Sequence, residues 1–131
     1  LSADRPEGDK SPRTIVLVDD SPTVRSMVQL VLGSAGYRVL TLDGPVGFKP
    51  ILQRERPALV LVDVTMPALE GPKLVEITRR NRLHECPILL YSARSDAELA
   101  GLASSCGASG YIKKGSGPLE LLQAVRRYVL P

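Results

Sequence analysis

PALVLVDVTMP, residues Pro57–Pro67, is the stretch on which the reading of the fold turns. Within it an apolar run from Ala58 to Val62 stops abruptly at a carboxylate, Asp63. So short a run, rich in Val and Leu and bounded by prolines, suits a strand buried on both faces, as in a parallel sheet. Pro57 stands just ahead of it, where a missing N–H costs little. Asp63 is then expected at the carboxyl end of a central strand, the edge at which open α/β sheets bind ligands. Taken alone, Asp63 reads equally well as a capping or turn residue. Other stretches turn toward the same edge and weigh against that.

Upstream, Thr14–Val18 (TIVLV) is a second buried-strand run, and it stops at Asp19-Asp20. Ser21 suits an N-cap with Pro22 at the first helical position. Val24, Met27, Val28, Val31 and Leu32 then recur at helical spacing as far as Ala35, and Gly36 closes the helix. Tyr37–Leu42 reads as a strand near an edge. Between Asp43 and Pro50, glycines and prolines break the pattern. A short helix from about Val46 or Pro50 to Arg56 is expected there.

Downstream, Pro72 opens a third helix with Leu74, Val75 and Ile77 as its stripe. Arg79, Arg80 and Arg82 stand toward its end, where cations suit the helix dipole. Ile88–Tyr91 is a strand ending at Ser92. Ser95 or Asp96 caps a helix to about Cys106, and Gly107 ends it. Ser109–Ile112 is a short strand leading into Lys113-Lys114. A last helix places Leu119, Leu122, Val125 and Val129 on one face. Fivefold alternation of strand and helix argues one α/β domain over 14–131, a parallel sheet covered on both faces. Residues 1–13 carry prolines, a glycine and charges without apolar periodicity, and read as a flexible leader.

The composition sets limits. Of 131 residues, 44% are hydrophobic and only 4% aromatic, with no Trp, so the core is expected to be Val, Leu, Ile and Ala. The net charge is +3. The arginines are scattered, with no basic run interleaved with aromatics, so no direct nucleic-acid contact is expected. No apolar stretch approaches the ~18 residues that span a bilayer, and no signal segment opens the sequence. Cys86 and Cys106 lack a CxxC spacing and fit a reducing, cytoplasmic setting. His84, in a polar connection, is expected as a surface imidazole.

The strand ends carry the chemistry. In a parallel sheet Asp19, Asp20, Asp63, Ser92, Lys113 and Lys114 fall on one rim. Three carboxylates in one pocket repel, and one or more has a raised pKa unless a cation joins them. A hard divalent cation with oxygen ligands, Mg²⁺ or Mn²⁺, answers that repulsion and also coordinates phosphate oxygens. A hydroxyl and an ammonium complete a phosphoryl site, and a carboxylate can itself be the nucleophile.

IVLVDDSPTVR, LVLVDVTMPALEG, ILLYSA and GASGYIKKG, in that order and spacing, resemble the receiver domain of bacterial response regulators over roughly Thr14 to Pro131. The resemblance implies a flavodoxin-like, doubly wound five-stranded parallel sheet of order 2-1-3-4-5 with five helices on both faces. It implies Asp63 as phosphoacceptor, with Mg²⁺ held by Asp20, by Asp19 partly through water, by Asp63 and by the backbone carbonyl of Thr65. Ser92 matches the switch hydroxyl, Tyr111 the aromatic that moves with it, and Lys114 the lysine that pairs with the phosphoryl group. Thr65 and Arg94 stand at positions that tune phosphoryl lifetime.

The implied function is a switch in a two-component system, with weak autophosphorylation and autodephosphorylation but no dedicated enzymatic role. Its implied partners are a histidine kinase or phosphotransfer protein, and a downstream protein or fused effector domain. Homodimerisation through the last two helices is a further option. One departure concerns the lysine. The family usually has proline directly after it, and here Gly115 follows, so Lys113 becomes a minor rival. The alternative reading is a phosphorylation-independent interaction module on the same fold. A haloacid-dehalogenase-like phosphatase wants a second Asp where Thr65 stands, and a dinucleotide-binding unit wants a glycine-rich turn where Asp19-Asp20 stand.

Overall fold

The computed structural model describes residues 8–131. The first seven positions of the expected leader lie outside the described residues. Strands and helices alternate: β1 (Thr14–Val18), α1 (Pro22–Ser34), β2 (Arg38–Leu42), α2 (Phe48–Glu55), β3 (Leu59–Asp63), α3 (Gly71–Arg80), β4 (Ile88–Ser92), α4 (Asp96–Cys106), β5 (Gly110–Lys113) and α5 (Pro118–Arg126). The strands form one parallel sheet in the order β2-β1-β3-β4-β5. That is the expected topology.

Side-chain alternation along the central strands splits the core into two layers. Val16, Val18, Val60 and Val62 pack with Leu52 of α2, Leu74 and Val75 of α3, and Leu99 of α4. Ile15, Leu17, Leu59 and Leu61 pack on the other face with Val28 and Leu32 of α1 and Leu121 and Val125 of α5. Burial on both faces is why β3 and β4 read as unbroken apolar runs. Edge strand β2 is only half-buried beyond its exposed first residue.

The helix starts follow local chemistry. Ser21 Oγ accepts the Val24 N–H at 3.2 Å and caps α1, and Ser95 Oγ accepts the Glu98 N–H at 3.2 Å and caps α4. Helix α2 starts at Phe48, between the two expected starts. Gly47, at φ 85°, turns the chain, and buried Phe48 anchors the first turn. Pro50 falls inside that turn, where its missing N–H leaves no bond unmade.

Two expectations are corrected. Strand β2 begins at Arg38 because Tyr37 leaves the ladder for the core. Its hydroxyl donates to the Val129 carbonyl at 2.5 Å, beyond the end of α5. His84 is buried, not on the surface. Its Nε2 lies 2.7 Å from the Pro57 carbonyl and donates to it, because the connection after α3 folds under the start of β3. Cys86 and Cys106 are buried free thiols. Burial pushes the Cys86 thiol up to about 12, so it stays protonated and serves packing.

Candidate functional site

Because all the strands run one way, their carboxyl ends share a rim. β1 hands the chain to Asp19 and Asp20, and β3 ends on Asp63. β4 ends on Ser92, which pairs in register with Lys113, so Lys114 comes just past the ladder. Asp19, Asp20 and Asp63 each bring one carboxylate oxygen to within 4.8 Å of the others. Asp19 is fully buried, Asp63 is 7% exposed, and Asp20 faces solvent.

The turn from β1 into α1 fixes Asp19. Its Oδ1 accepts the Ser21 N–H at 3.0 Å, and Arg25 donates to its carbonyl at 2.8 Å. Its Oδ2 is buried and receives no directional hydrogen bond. The Lys114 ammonium lies 2.7 Å from that oxygen as an ion pair. The same ammonium donates to Asp63 Oδ1 at 3.3 Å and sits 5.3 Å from the centre of the Tyr91 ring.

One ammonium thus faces a cluster of three carboxylates, and the shortfall shows in the ionisation of the groups. Burial, then the charge of Asp19, raises the Asp63 pKa against the pull of Lys114. Burial and Asp19 together push the Tyr91 hydroxyl up to about 12. Three carboxylate oxygens within 4.8 Å of one another, offset by a single ammonium, are a donor set that fits a hard divalent cation such as Mg²⁺.

Buried Ser92 accepts the Arg94 N–H on its Oγ at 3.2 Å. Its carbonyl accepts the backbone N–H of Lys114 at 2.7 Å. That bond holds the lysine from the strand side although flexible Gly115, at φ 86°, follows it. Lys113 is exposed, and Lys114 alone of the pair reaches the carboxylates.

Three of the remaining predicted residues flank the rim. Arg94 donates to Thr65 Oγ1 at 3.1 Å and lies 3.7 Å from Glu98, bridging the loop after β3 to the first turn of α4. The hydroxyl of half-buried Tyr111 donates to Asp96 Oδ1 at 3.2 Å.

Sequence reasoning missed Arg25, Tyr91 and Gly71. A Cβ on Gly71 would lie 2.1 Å from the Asp63 carbonyl oxygen, so only glycine lets α3 begin against the backbone of that aspartate. The Gly71 N–H donates to the Val64 carbonyl at 2.9 Å. The signal for Gly71 was its place just before a helix-opening proline. For Arg25 it was a position in the first turn after a capped strand end.

Comparison with known proteins agrees with this geometry. The sequence pattern of the response regulator receiver domain matches residues 15–126. The phosphate regulon transcriptional regulatory protein PhoB of Pseudomonas aeruginosa is 30% identical over 91% of this chain and 54% of its own length. The transcriptional regulatory protein GltR of the same organism is 30% identical over 87% of this chain and 48% of its own, so the chain spans about half the length of these curated relatives. The structure of the chemotaxis protein CheY4 of Vibrio cholerae superposes with a TM-score of 0.83 at 28% identity, covering 90% of this chain and 99% of that one. A rim of clustered carboxylates with one lysine, on a sheet of this order and with this match, means that the chain belongs to the response regulator receiver domain family and is a signalling switch of two-component systems.

Proposed function

We propose that Asp63 accepts a phosphoryl group from a histidine kinase or phosphotransfer protein in a reaction that depends on Mg²⁺. The observation that carries this reading is the shared ammonium: Lys114 touches Asp19 and Asp63 at once, at the centre of an under-compensated acidic cluster. Asp19, Asp20, Asp63 and the Thr65 carbonyl would hold the cation, with Mn²⁺ as a substitute. Bound there, it would offset the charge that gathers on the phosphoryl oxygens.

An Asp63 oxygen attacks phosphorus as the P–N bond of phosphohistidine breaks, and the electron pair returns to the imidazole. The product is an aspartyl phosphate. Attack needs the anionic carboxylate, which Lys114 favours against burial and Asp19. The new charge then draws Lys114 off Asp19 and turns the Ser92 hydroxyl from its contact with the Arg94 N–H toward the phosphoryl oxygens. Tyr111 follows, leaving Asp96, and the surface of α4, β5 and α5 shifts population toward a second shape.

That surface would meet a downstream protein, a fused effector domain or a second copy. Slow hydrolysis resets the switch, and the Arg94–Thr65 bridge beside Asp63 governs the approach of water. A cytoplasmic location follows from such partners.

The test is incubation with acetyl phosphate, with and without Mg²⁺, read by intact mass. The expected result is one added phosphate that requires Mg²⁺ and disappears in Asp63→Asn. Absence of the adduct, with no Mg²⁺ binding either, would replace this reading with a phosphorylation-independent interaction module.

A further inference from the structure

Arginines scattered in the sequence are gathered by the fold. Helices of a parallel α/β sheet run against the strands, so helix C-termini and strand N-termini share the pole opposite the rim. Every described arginine except Arg25 and Arg94 lies at that pole. Arg13 precedes β1 and Arg38 opens β2. Arg54 and Arg56 close α2, and Arg79, Arg80 and Arg82 close α3. Arg126 and Arg127 close α5. The lysines beyond Lys10 do the reverse. Lys49 and Lys73 lie in first turns, and Lys113 and Lys114 at the end of β5, all on the rim side.

Two adjoining cavities of about 250 and 350 Å³ share His84 and Glu85 as walls. Arg13 and Arg56 line the first, and Arg79 and Arg82 the second. Some of these guanidiniums are occupied. Glu55 takes Arg38 and Arg54 at 2.6 and 2.8 Å, and Arg79 donates to Gly107, Cys86 and Ser109. The side chains of Arg56, Arg80 and Arg82 are exposed and bond to no other described residue, while Arg127 lines a separate groove beside β5 with Lys113 and Glu120.

A second observation comes from the backbone. Arg56 at φ 44° and Arg82 at φ 49° are the only non-glycine described residues with positive φ. Each follows a helix end, where glycine or asparagine is the comfortable residue. The helix dipole does not require them, since Arg54, Arg79 and Arg80 already stand in the last turns. A cation held against the backbone's preference, twice and on one pole, points to a use for its side chain.

The chemistry selects the partner. Arginine, sorted here from lysine, presents a planar fork that matches phosphate oxygens. A membrane-binding patch would couple its cations to inserted apolar side chains, and of the exposed large apolar residues only Leu130 adjoins this pole. A second copy offers a poor anion, because Asp19 and Asp63 of its rim are buried. We propose that the arginine pole binds the phosphate backbone of duplex nucleic acid without reading its sequence, independently of Asp63.

The experiment is fluorescence anisotropy of the full chain with two unrelated DNA duplexes of about 20 base pairs, across about 50 to 200 mM salt. With the three free guanidiniums on phosphates, log affinity falls with log salt at a slope of about −2.7, roughly a fortyfold loss across that range, equal for both sequences. Arg56→Gly and Arg82→Gly each flatten the slope by about 0.9 and weaken binding several-fold, while the melting temperature rises because glycine suits their backbone. Arg80→Gln weakens binding to the same degree and leaves α3 intact, and Lys49→Gln on the far side leaves binding unchanged.

The proposal is overturned if no duplex binds at low salt, or if Lys49→Gln costs as much as Arg82→Gly. Tighter binding to anionic vesicles than to duplex would transfer the pole to a membrane. Self-association abolished by the same arginine substitutions would transfer it to a second copy.

Discussion

Two ion pairs of nearly equal length, at opposite poles of the sheet, differ in what they contribute. Arg38 and Glu55 meet at 2.6 Å at the base, with side chains 49% and 17% exposed. Lys114 and Asp19 meet at 2.7 Å at the rim, with side chains 20% and 0% exposed. At the base water screens both partners, and such a pair contributes little. At the rim buried Asp19 cannot exchange its partner for water. Deleting one side leaves a buried charge uncompensated, at about 3–5 kcal/mol. Distance alone says nothing about the worth of a salt bridge here, and burial decides it. The rim is a reservoir of unrelieved repulsion that a cation or a phosphoryl group can act on. The base is a solvated array whose charges act independently.

The sharpest way to break this contrast is Lys114→Met. It strips the acidic cluster of its ammonium, and chemical denaturation without divalent ions is expected to show a loss of about 3 kcal/mol. Excess Mg²⁺ is expected to recover much of that loss, because it replaces the missing charge. A loss under 1 kcal/mol would place the rim in the same solvated regime as the base.

Gly71→Ala comes next. The added Cβ meets backbone, not a flexible side chain, so α3 must move off Asp63. Overpacking of this kind costs about 1–3 kcal/mol, read as a lower melting temperature together with slower phosphorylation by acetyl phosphate.

Asp63→Asn is expected to have a smaller effect of opposite sign. A carboxyl whose folded pKa lies above its unfolded value of 3.8 destabilises the fold while ionised. That penalty is complete above the folded pKa and fades as pH falls through the folded pKa toward the unfolded one. Without metal, the Asn variant should therefore melt a few degrees higher at pH 7 and match the parent in acid. Mg²⁺ should close the gap at neutral pH by stabilising only the parent. Smallest of all, Arg38→Gln at the base should leave the denaturation midpoint almost unchanged, with any difference gone in high salt.

The rim was readable in the sequence because its marks are local. Apolar runs that stop at Asp19, Asp63 and Ser92 announce strand ends in one dimension, and five such alternations leave little choice of topology. What escaped depends on contacts across the chain. His84 looked like a surface residue because its partner, the Pro57 carbonyl, lies 27 positions away. Gly115 looked like a loosening of the lysine because the bond that holds Lys114 comes from Ser92 on the neighbouring strand. Tyr37 looked like the first residue of an alternating strand, yet its hydroxyl reaches Val129, 92 positions on. The arginine pole was hidden for the same reason, since helix ends far apart in sequence meet only in the folded sheet.

The origin of the rim's one ammonium bears on how the molecule assembles. Asp19, Asp20 and Asp63 all belong to the first three strands, and those strands already give β1 both of its neighbours. Lys114 arrives 51 residues after Asp63, behind the last strand in the sequence, at the sheet's far edge. A nascent chain that has built its centre therefore carries an acidic knot with no internal counterion until the final βα unit docks. Completion of the sheet and neutralisation of the knot are one event. That coupling makes the last unit the electrostatic lock of the fold.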